Sequence, residues 1–336
     1  MENIDNNYLI RTFTVLIISM GLIACKNNQS ERKPINDPNR IVVEYPFKKV
    51  DSVQLSSGSL LRINNFDSKY VSPRNIDVWL PENYSENEDY QVLLMHDGQM
   101  LFDSTTTWNK QEWGVDETLS QLIKTDSIIP TIVVSTWNVF EDRHSDYFPQ
   151  KPFDNLEDET KKNLIDYNQS NSDRLFKKLP QSDDYLKFLI QEVIPLVKNH
   201  FSILDQPQSI TVAGSSMGGL ISFYALCEYP DIFGQAICMS THWPGAMSYE
   251  ENPFPQTFFN YLDDKLPQLN NHKFYFDFGT ETLDELYPQY EDEVNQLFAK
   301  HNFNSSNFKN LKYEGDAHDE KSWRQRLHIP LKFALK

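Results

Sequence analysis

The sequence has little of what a disulfide scaffold, a metal site or a nucleic-acid-binding protein needs. Only three of its 336 residues are cysteine. No Cys and His residues have the spacing of metal ligands, so we expect no catalytic metal. Positive charge is also scarce, because 31 Lys and Arg stand against 48 Asp and Glu, a net charge of -17. This balance argues against nucleic acid and against an anionic membrane surface as partners.

A long hydrophobic run is also absent. The N-terminal apolar run covers only the 12 residues from Phe13 to Ala24, whereas a helix that spans a bilayer of about 30 Å needs about 20. Leu22, three residues before Cys25, and the small Ala24 directly before it are typical of a bacterial lipoprotein signal. We therefore expect residues 1–24 to be removed. Cys25 would then become a lipidated N-terminus in the cell envelope, as a periplasmic or outer-membrane lipoprotein.

The remainder of the chain is expected to be a short tether and one domain. Residues 25–40 are polar and rich in Asn, Lys and Pro, which is typical of a flexible tether. Residues 41–336 show no repeat, and about 300 residues suit a single domain. Removal of the signal changes the charge to 30 − 46 = −16. Cys227 and Cys238 would remain, either paired in an oxidising compartment or as buried thiols.

A G-x-S-x-G motif lies where a short apolar strand meets a helix. Residues 214–218 read GSSMG, after the β-prone residues ITVA and before an apolar helical run that starts at Leu220. In this setting the motif is typical of a nucleophile elbow, a tight turn that projects a serine hydroxyl above the sheet. Ser216 is therefore the predicted nucleophile. The alternative is a glycine-rich helix start with a capping serine.

A serine hydroxyl needs a general base, and His318 is the best placed of the eight histidines. It follows the apolar–polar run 308–313 and precedes a helical pattern, so it is expected on the loop after the last strand, where it can reach Ser216. His301 is expected at the C-terminus of a helix, and His272 at the start of a strand. The alternative for His318 is a solvated histidine near a helix N-terminus.

The acid that orients the base should follow the strand before last, which is predicted at residues 273–278. Two carboxylates compete in the loop after this strand, Asp284 and Glu281. We favour Asp284, because it lies deeper in the loop and loop residues reach across a site more easily. Asp277 lies within the strand and is expected to point away from the site. The alternative for either loop acid is a solvated carboxylate at a helix start.

The third requirement is an oxyanion hole made of two backbone N–H groups. Met217, directly after the nucleophile, is expected to supply the first. The buried strand predicted at residues 91–95 ends in His-Asp-Gly-Gln, where Gly98 or Gln99 can supply the second. His96 precedes this turn and is interpreted as a structural hydrogen-bond partner rather than a proton carrier.

Taken together, these motifs resemble those of the bacterial putative esterase family of the α/β-hydrolase superfamily. Relatives in that family include enterochelin esterases, esterase D, and acetyl and feruloyl xylan esterases. The resemblance covers residues 60–335 and implies a secreted carboxylic ester hydrolase with a Ser-His-acid triad and no cofactor. Asp97 stands where many such oxyanion loops have a glycine run. The matching blocks are residues 96–99, 101–103, 214–219, 279–284 and 317–323.

Strand-like and helix-like patterns alternate after an opening hairpin at residues 60–65 and 75–80. This alternation predicts a mostly parallel central sheet with helices on both faces, which agrees with the α/β-hydrolase fold that the resemblance implies. Residues 137–181 are predicted as a long loop that serves as lid or substrate wall. Further strands are expected at 91–95, 131–137, 209–213, 235–239, 273–278 and 308–313. Helices are expected at 112–124, 184–200, 217–228, 254–266, 286–302 and 320–333.

The sequence thus predicts a serine carboxylic ester hydrolase that forms an acyl-enzyme. Its substrate would be an extracytoplasmic ester, either a carbohydrate acetyl or feruloyl ester or a siderophore-type ester. Two alternatives stay open, a non-hydrolytic glycan- or siderophore-binding lipoprotein and an acyltransferase. The expected partners are the ester substrate and, through Cys25, a membrane.

Overall fold

The structure, a computed structural model, describes residues 46–170, 178–246 and 252–336. These residues belong to one compact unit, Tyr45–Lys336. The predicted signal, the tether and Cys25 lie outside the described residues. Within the described ranges, no helix combines the length and the apolar character that crossing a membrane requires.

A nine-stranded sheet runs through this unit in the order β1-β2-β3-β5-β4-β6-β7-β8-β9. Strands β4 to β9 are parallel to one another, whereas β1, β2 and β3 form antiparallel pairs and β3 joins β5 antiparallel. The predicted mostly parallel sheet and its opening hairpin are therefore confirmed. The strands are β1 Lys48–Lys49, β2 Ser59–Phe66, β3 Arg74–Leu80, β4 Gln91–Met95, β5 Thr131–Thr136, β6 Ile210–Ser215, β7 Gln235–Met239, β8 Lys273–Phe278 and β9 Phe308–Lys312.

Both faces of the sheet are covered. Along β4, Val92 and Leu94 contribute to one hydrophobic core and Leu93 and Met95 to the other, because successive side chains of a strand point to opposite faces. Helices α2 to α9 contribute to the first core, and α1, α10 and α11 to the second. The helices are α1 Val115–Lys124, α2 Arg143–Tyr147, α3 Gln150–Asp154, α4 Asp158–Ser170, α5 Ser182–Lys187, α6 Ile194–His200, α7 Met217–Glu228, α8 Phe254–Lys265, α9 Glu291–Lys300, α10 Glu320–Arg326 and α11 His328–Ala334.

The prediction of a long loop at residues 137–181 was wrong. This segment contains α2, α3 and α4, and its aromatic residues Tyr147, Phe148 and Phe153 are buried in the first core. α2 and α3 have only five residues each, and the longer α4 is mostly polar, so the sequence of this segment shows no clear helical period.

Two predicted helices are interrupted where proline removes a backbone donor. The helix expected at 320–333 divides at Leu327, because Pro330 has no N–H to donate to the carbonyl four residues before it. The helix expected at 184–200 contains a π-helical turn, Phe188–Val193, ahead of Pro195. The helix expected from residue 286 begins only at Glu291, after two short 3-10 turns, Thr282–Leu286 and Pro288–Tyr290.

The remaining cysteines answer a question that the sequence left open. Cys227 on α7 and Cys238 on β7 are both buried free thiols. Burial raises the pKa of the Cys227 thiol to about 12 and that of Cys238 well above its ordinary value. Both side chains therefore stay protonated and act as apolar packing groups.

Candidate active site

The predicted nucleophile occupies a strained turn between β6 and α7. Ser216 has φ 59 and ψ -120, a conformation that is rare for a residue with a side chain. A Cβ on Gly214 would lie 2.8 Å from the backbone of Gly218, and one on Gly219 would lie 2.8 Å from Thr241 Oγ1. Gly214 is therefore required where the strand and the helix pass closely, whereas a Cβ on Gly218 would make only ordinary contacts, the nearest at 3.6 Å.

Hydrogen bonds hold this turn against the end of β7. The N–H of Ser216 donates to the carbonyl of Met239 at 3.0 Å, and the N–H of His242 donates to the carbonyl of Ser216 at 3.2 Å. The N–H of Gly219 also donates to the Ser216 carbonyl, at 3.0 Å. The neighbouring strand thus fixes the backbone on both sides of the serine side chain.

His318 and Asp284 are in direct contact. His318 Nδ1 lies 2.5 Å from Asp284 Oδ1, and the Asp284 side chain is fully buried whereas that of His318 is 13% exposed. The N–H of His318 donates to Oγ1 of Thr282, a β-branched residue held at φ 58. Glu281, the alternative acid, has an exposed side chain and joins this loop through a backbone bridge to Ala317. Asp284, rather than Glu281, therefore contacts the histidine.

Ser240 supports the acid from the end of β7. Its Oγ donates to Asp284 Oδ2 at 2.6 Å and accepts from Trp323 Nε1 at 2.9 Å and from Arg326 Nη2 at 3.1 Å. The N–H of Gly279 also donates to Asp284 Oδ2, at 2.6 Å. Both oxygens of the buried carboxylate therefore have partners, which holds it facing His318.

Arg326 continues this arrangement beneath the site. Its Nε and Nη2 donate to the two oxygens of Asp277, each at 3.1 Å, and its Nη1 donates to Asp316 at 2.7 Å. Burial raises the pKa of the Asp277 carboxyl, although the Arg326 charge opposes that shift. Asp277 thus pairs with Arg326, whereas His318 pairs with Asp284, in line with the expected position of Asp277 away from the site.

The loop after β4 approaches the elbow from the opposite side. Asp97, at φ 56, precedes a 3-10 turn, Gly98–Met100. A Cβ on Gly98 would lie 2.9 Å from Ser135 Oγ, so only glycine fits there. Gln99 Oε1 accepts from the N–H of Asn138 at 3.2 Å. A Cβ on Gly218 would be 3.6 Å from Asp97 Oδ2, which places this loop beside the first turn of α7, where Met217 begins the helix.

Asp97 is held in a fixed position by two partners. Arg143 donates to both of its oxygens, Nε at 2.9 Å and Nη2 at 2.7 Å, and Asn138 Nδ2 donates to Oδ1 at 2.7 Å. Burial raises the pKa of Asp97, but the charge and hydrogen bonds of Arg143 outweigh it and lower the net value. Asp97 therefore remains ionised and acts as a brace for the loop.

His96 has the structural position that was expected of it. Its Nδ1 is 2.8 Å from the hydroxyl of Tyr185, which also lies 2.8 Å from Thr136 Oγ1. Burial lowers the pKa of His96 to about 4, so the ring is neutral near pH 7. His96 is a hydrogen-bond partner of the core beneath the loop.

Sequence reasoning missed two residues that adjoin the nucleophile, Tyr287 and His242. The Tyr287 hydroxyl lies 2.9 Å from His242 Nδ1, and the backbone N–H of His242 donates to the Ser216 carbonyl at 3.2 Å. The Tyr287 ring meets His318 edge to face, with centroids 5.9 Å apart. No periodic or motif signal marks either residue, since only the packing of β7 against the loop after β8 brings them to Ser216.

A nucleophile elbow and a histidine–carboxylate pair at the carboxyl edge of a mostly parallel sheet define an α/β-hydrolase. A family model described as Putative esterase matches residues 69–332. This chain belongs to the putative esterase family of carboxylic ester hydrolases. Within the described residues, no group of three or more His, Cys, Asp or Glu side chains is arranged to hold a metal ion.

Solved structures of esterases share the fold. A ferulic acid esterase superimposes with a TM-score of 0.58 and 16% identity, over 84% of this chain and 99% of that one. The enterobactin esterase FES from Shigella flexneri, solved in the presence of enterobactin, gives a TM-score of 0.54 and 16% identity over 86% of this chain and 59% of that one. The uncharacterized protein YbbA of Bacillus subtilis (strain 168) is 37% identical over 60 residues, 18% of this chain and 24% of that protein. The chain thus matches about a quarter of this curated relative.

Proposed function

We propose that this protein is a serine carboxylic ester hydrolase that works through an acyl-enzyme. The observation that carries the proposal is the 2.5 Å contact between His318 Nδ1 and Asp284 Oδ1, at the sheet edge where Ser216 occupies its strained turn. A carboxylate on Nδ1 orients the ring and leaves Nε2 to exchange protons with a substrate or a nucleophile. The family match supports the same assignment.

In the proposed reaction, Ser216 Oγ attacks the ester carbonyl carbon and His318 takes the Oγ proton. The N–H groups of Met217 and of Gly98 or Gln99 bind the oxyanion. The bond to the alcohol then breaks, and His318 returns the proton to the leaving oxygen. Water attacks the acyl-enzyme by the same route, which releases the acid and restores the Ser216 hydroxyl.

For the substrate we propose an extracytoplasmic ester, either a carbohydrate acetyl or feruloyl ester or a siderophore-type ester. Trp108, in the loop after β4, is 84% exposed and can stack on a planar ring of such a molecule. Its neighbour Asn109 donates to the side chain of Glu320, the first residue of the helix that follows His318. Turnover of acetylated xylan, feruloyl esters and ferric enterobactin would identify the class.

Replacement of Ser216 by alanine tests the chemistry, with Ser215→Ala as the matched control in the same motif. Ser216→Ala is expected to abolish hydrolysis of p-nitrophenyl acetate and covalent labelling by a fluorophosphonate, whereas Ser215→Ala should retain both. Full turnover by Ser216→Ala would refute the proposal. Absence of labelling in the wild type, with tight ligand binding that survives Ser216→Ala, would instead indicate a binding lipoprotein. Esters formed with excess sugar would indicate an acyltransferase.

We also propose that the protein is a lipoprotein of the cell envelope, with its anchor at Cys25. Each buried methylene of an acyl chain contributes about 0.8 kcal/mol, and a single chain binds only marginally, so stable anchoring needs more than one. Cys25→Ser is therefore expected to remove the protein from the membrane fraction or to leave an unprocessed precursor. Processed Cys25→Ser protein that stays with the membrane would contradict the anchor without affecting the esterase assignment.

A further inference from the structure

We infer that Thr282 is a positioning residue of this site. Its hydroxyl holds the backbone of the base His318, and its left-handed backbone turns the chain so that Asp284 meets the ring of that base. This role rests on the proposed esterase function and deepens it, because it names a residue that acts through the base and not on the substrate.

Thr282 has a backbone conformation that a branched side chain rarely adopts. Its φ is 58, in the left-handed region that glycine enters freely and a Cβ makes unfavourable. Among the described residues that have a side chain and a positive φ, Thr282 is the one with a branched Cβ. Its side chain is exposed, so packing in a core does not explain a threonine here. An outlier of this kind beside reacting groups points to a function for the side chain.

The loop after β8 and the loop after β9 are joined residue by residue up to Thr282. The N–H groups of Thr280 and Glu281 both donate to the carbonyl of Asp316, each at 3.0 Å. Glu281 also forms a parallel β-bridge with the residue before His318. At the next step, the N–H of His318 donates to Oγ1 of Thr282 at 2.9 Å. A side-chain oxygen, rather than another backbone carbonyl, thus accepts the last bond of this series.

The turn at Thr282 also delivers the acid. It ends the pairing of the two loops and begins the 3-10 turn Thr282–Leu286. The N–H of Asp284 donates to the carbonyl of Glu281 at 3.2 Å, which closes the turn across Thr282. Asp284 Oδ1 then lies 2.5 Å from His318 Nδ1. One short segment therefore holds the backbone of the base through Thr282 and its ring through Asp284.

Glycine would adopt this turn without strain, but it offers no acceptor for the N–H of His318. Ser240, at the end of β7, shows the same combination of features. Its φ is 41, and its hydroxyl donates to Asp284 Oδ2 at 2.6 Å. At both positions a hydroxyl-bearing residue stands where glycine would suit the backbone better, and at both the hydroxyl contacts the acid–base pair. The strain therefore accompanies a fixed geometry of the acid and the base.

Three variants of Thr282 separate the hydroxyl from the branched Cβ. Thr282→Ser keeps the hydroxyl without the branch, Thr282→Val keeps the branch without the hydroxyl, and Thr282→Gly has neither. For p-nitrophenyl acetate we expect kcat to fall roughly tenfold in Thr282→Val and Thr282→Gly, because a displaced base slows proton transfer. KM should stay unchanged, since the lost interaction serves the transition state. Thr282→Ser should rescue kcat to within about twofold of the wild type.

The melting temperature is expected to follow the Cβ instead of the hydroxyl. Thr282→Gly should melt at least as high as the wild type although it is slower, because the release of strain offsets the greater freedom of glycine in the unfolded chain. Thr282→Val, which keeps the strain, should not gain stability. A merely structural role would lower kcat and the melting temperature together in Thr282→Gly, and that result would overturn the inference.

Thr280→Val is the matched control. Thr280 Oγ1 accepts from the N–H of Gly315 at 2.9 Å, so it joins the same two loops without contacting His318. This variant should retain kcat to within about twofold. Equal losses in Thr280→Val and Thr282→Val, an unchanged kcat in Thr282→Val, or a Thr282→Ser variant as slow as Thr282→Val would also overturn the inference. Those results would leave the esterase function intact, whereas full activity of Ser216→Ala would remove both.

Discussion

Two polar networks of this molecule, one buried and one partly exposed, differ in how completely their buried atoms are hydrogen-bonded. The acid network lies behind the candidate base, and the α1 network joins helices α1 and α10 to the chain before β2. Each combines carboxylates with one arginine. The acid network consists of Ser240, Asp277, Asp284, Trp323 and Arg326, and the α1 network consists of Ser56, Glu112, Asp116, Glu117 and Arg324.

Within the described residues, every buried side-chain nitrogen and oxygen of the acid network has a hydrogen-bond partner. In the α1 network, three buried carboxylate oxygens have no hydrogen-bond partner among the described residues: Glu112 Oε2, Asp116 Oδ1 and Glu117 Oε2. Burial, followed by the Glu117 charge, raises the pKa of Asp116 to about 7. In the acid network every carboxylate oxygen is hydrogen-bonded, which keeps Asp284 oriented toward His318. The α1 network lies outside the site, and there carboxylates without partners are tolerated.

The largest effect is expected from the acid of the first network. Asp284→Asn should retain the fold but lose roughly 10⁴-fold in turnover near neutral pH, because an amide no longer selects the required tautomer of His318. Glu281→Gln, in the same loop but exposed, is the matched control and should cost far less. The measurement is kcat for p-nitrophenyl acetate. A crippled Glu281 variant beside an active Asp284 variant would assign the acid role to Glu281, and two active variants would indicate a Ser216–His318 dyad.

The next effect compares the arginines of the two networks. The Arg326 side chain is 3% exposed and compensates the buried Asp277, so Arg326→Met should lower the free energy of unfolding by about 3–5 kcal/mol. The Arg324 side chain is 42% exposed, so Arg324→Met should cost about 1 kcal/mol or less. Urea unfolding of both variants at one pH provides the measurement. Similar losses for the two arginines would contradict the distinction between the networks.

The smallest effect concerns the unsatisfied carboxyl of the α1 network. Because its pKa in the folded protein is raised from 3.8 to about 7, Asp116 binds a proton more tightly when folded. The contribution of Asp116 to stability is therefore fully present below about pH 3.8 and is lost as the pH rises from there to about 7. Asp116→Asn should consequently be more stable than the wild type by about 2 kcal/mol at pH 8, with Glu117 absorbing the rest of the shift, and by little at about pH 4. The same difference at both pH values would exclude this explanation.

Local patterns in the chain predicted much of the fold. The β8 strand Lys273–Phe278 and the helix Met217–Glu228 have the bounds that their hydrophobic patterns indicated. Such patterns are reliable because a buried strand or helix needs apolar residues along its whole length, on every face that packs against the core. The break at Leu327 was missed although Pro330 marks it, since the apolar period continues across both helices.

The sequence by itself determined the candidate nucleophile Ser216 and the histidine His318. A glycine-flanked turn and a loop after the last strand are local features, so neighbouring residues in the chain are enough to recognise them. It did not decide between Asp284 and Glu281, which lie three residues apart in one loop. Only the tertiary structure places Asp284 against His318, since its partner Ser240 comes from another strand and the burial of a carboxylate depends on donors that are distant in the chain. Tyr287 and its neighbours became visible for the same reason.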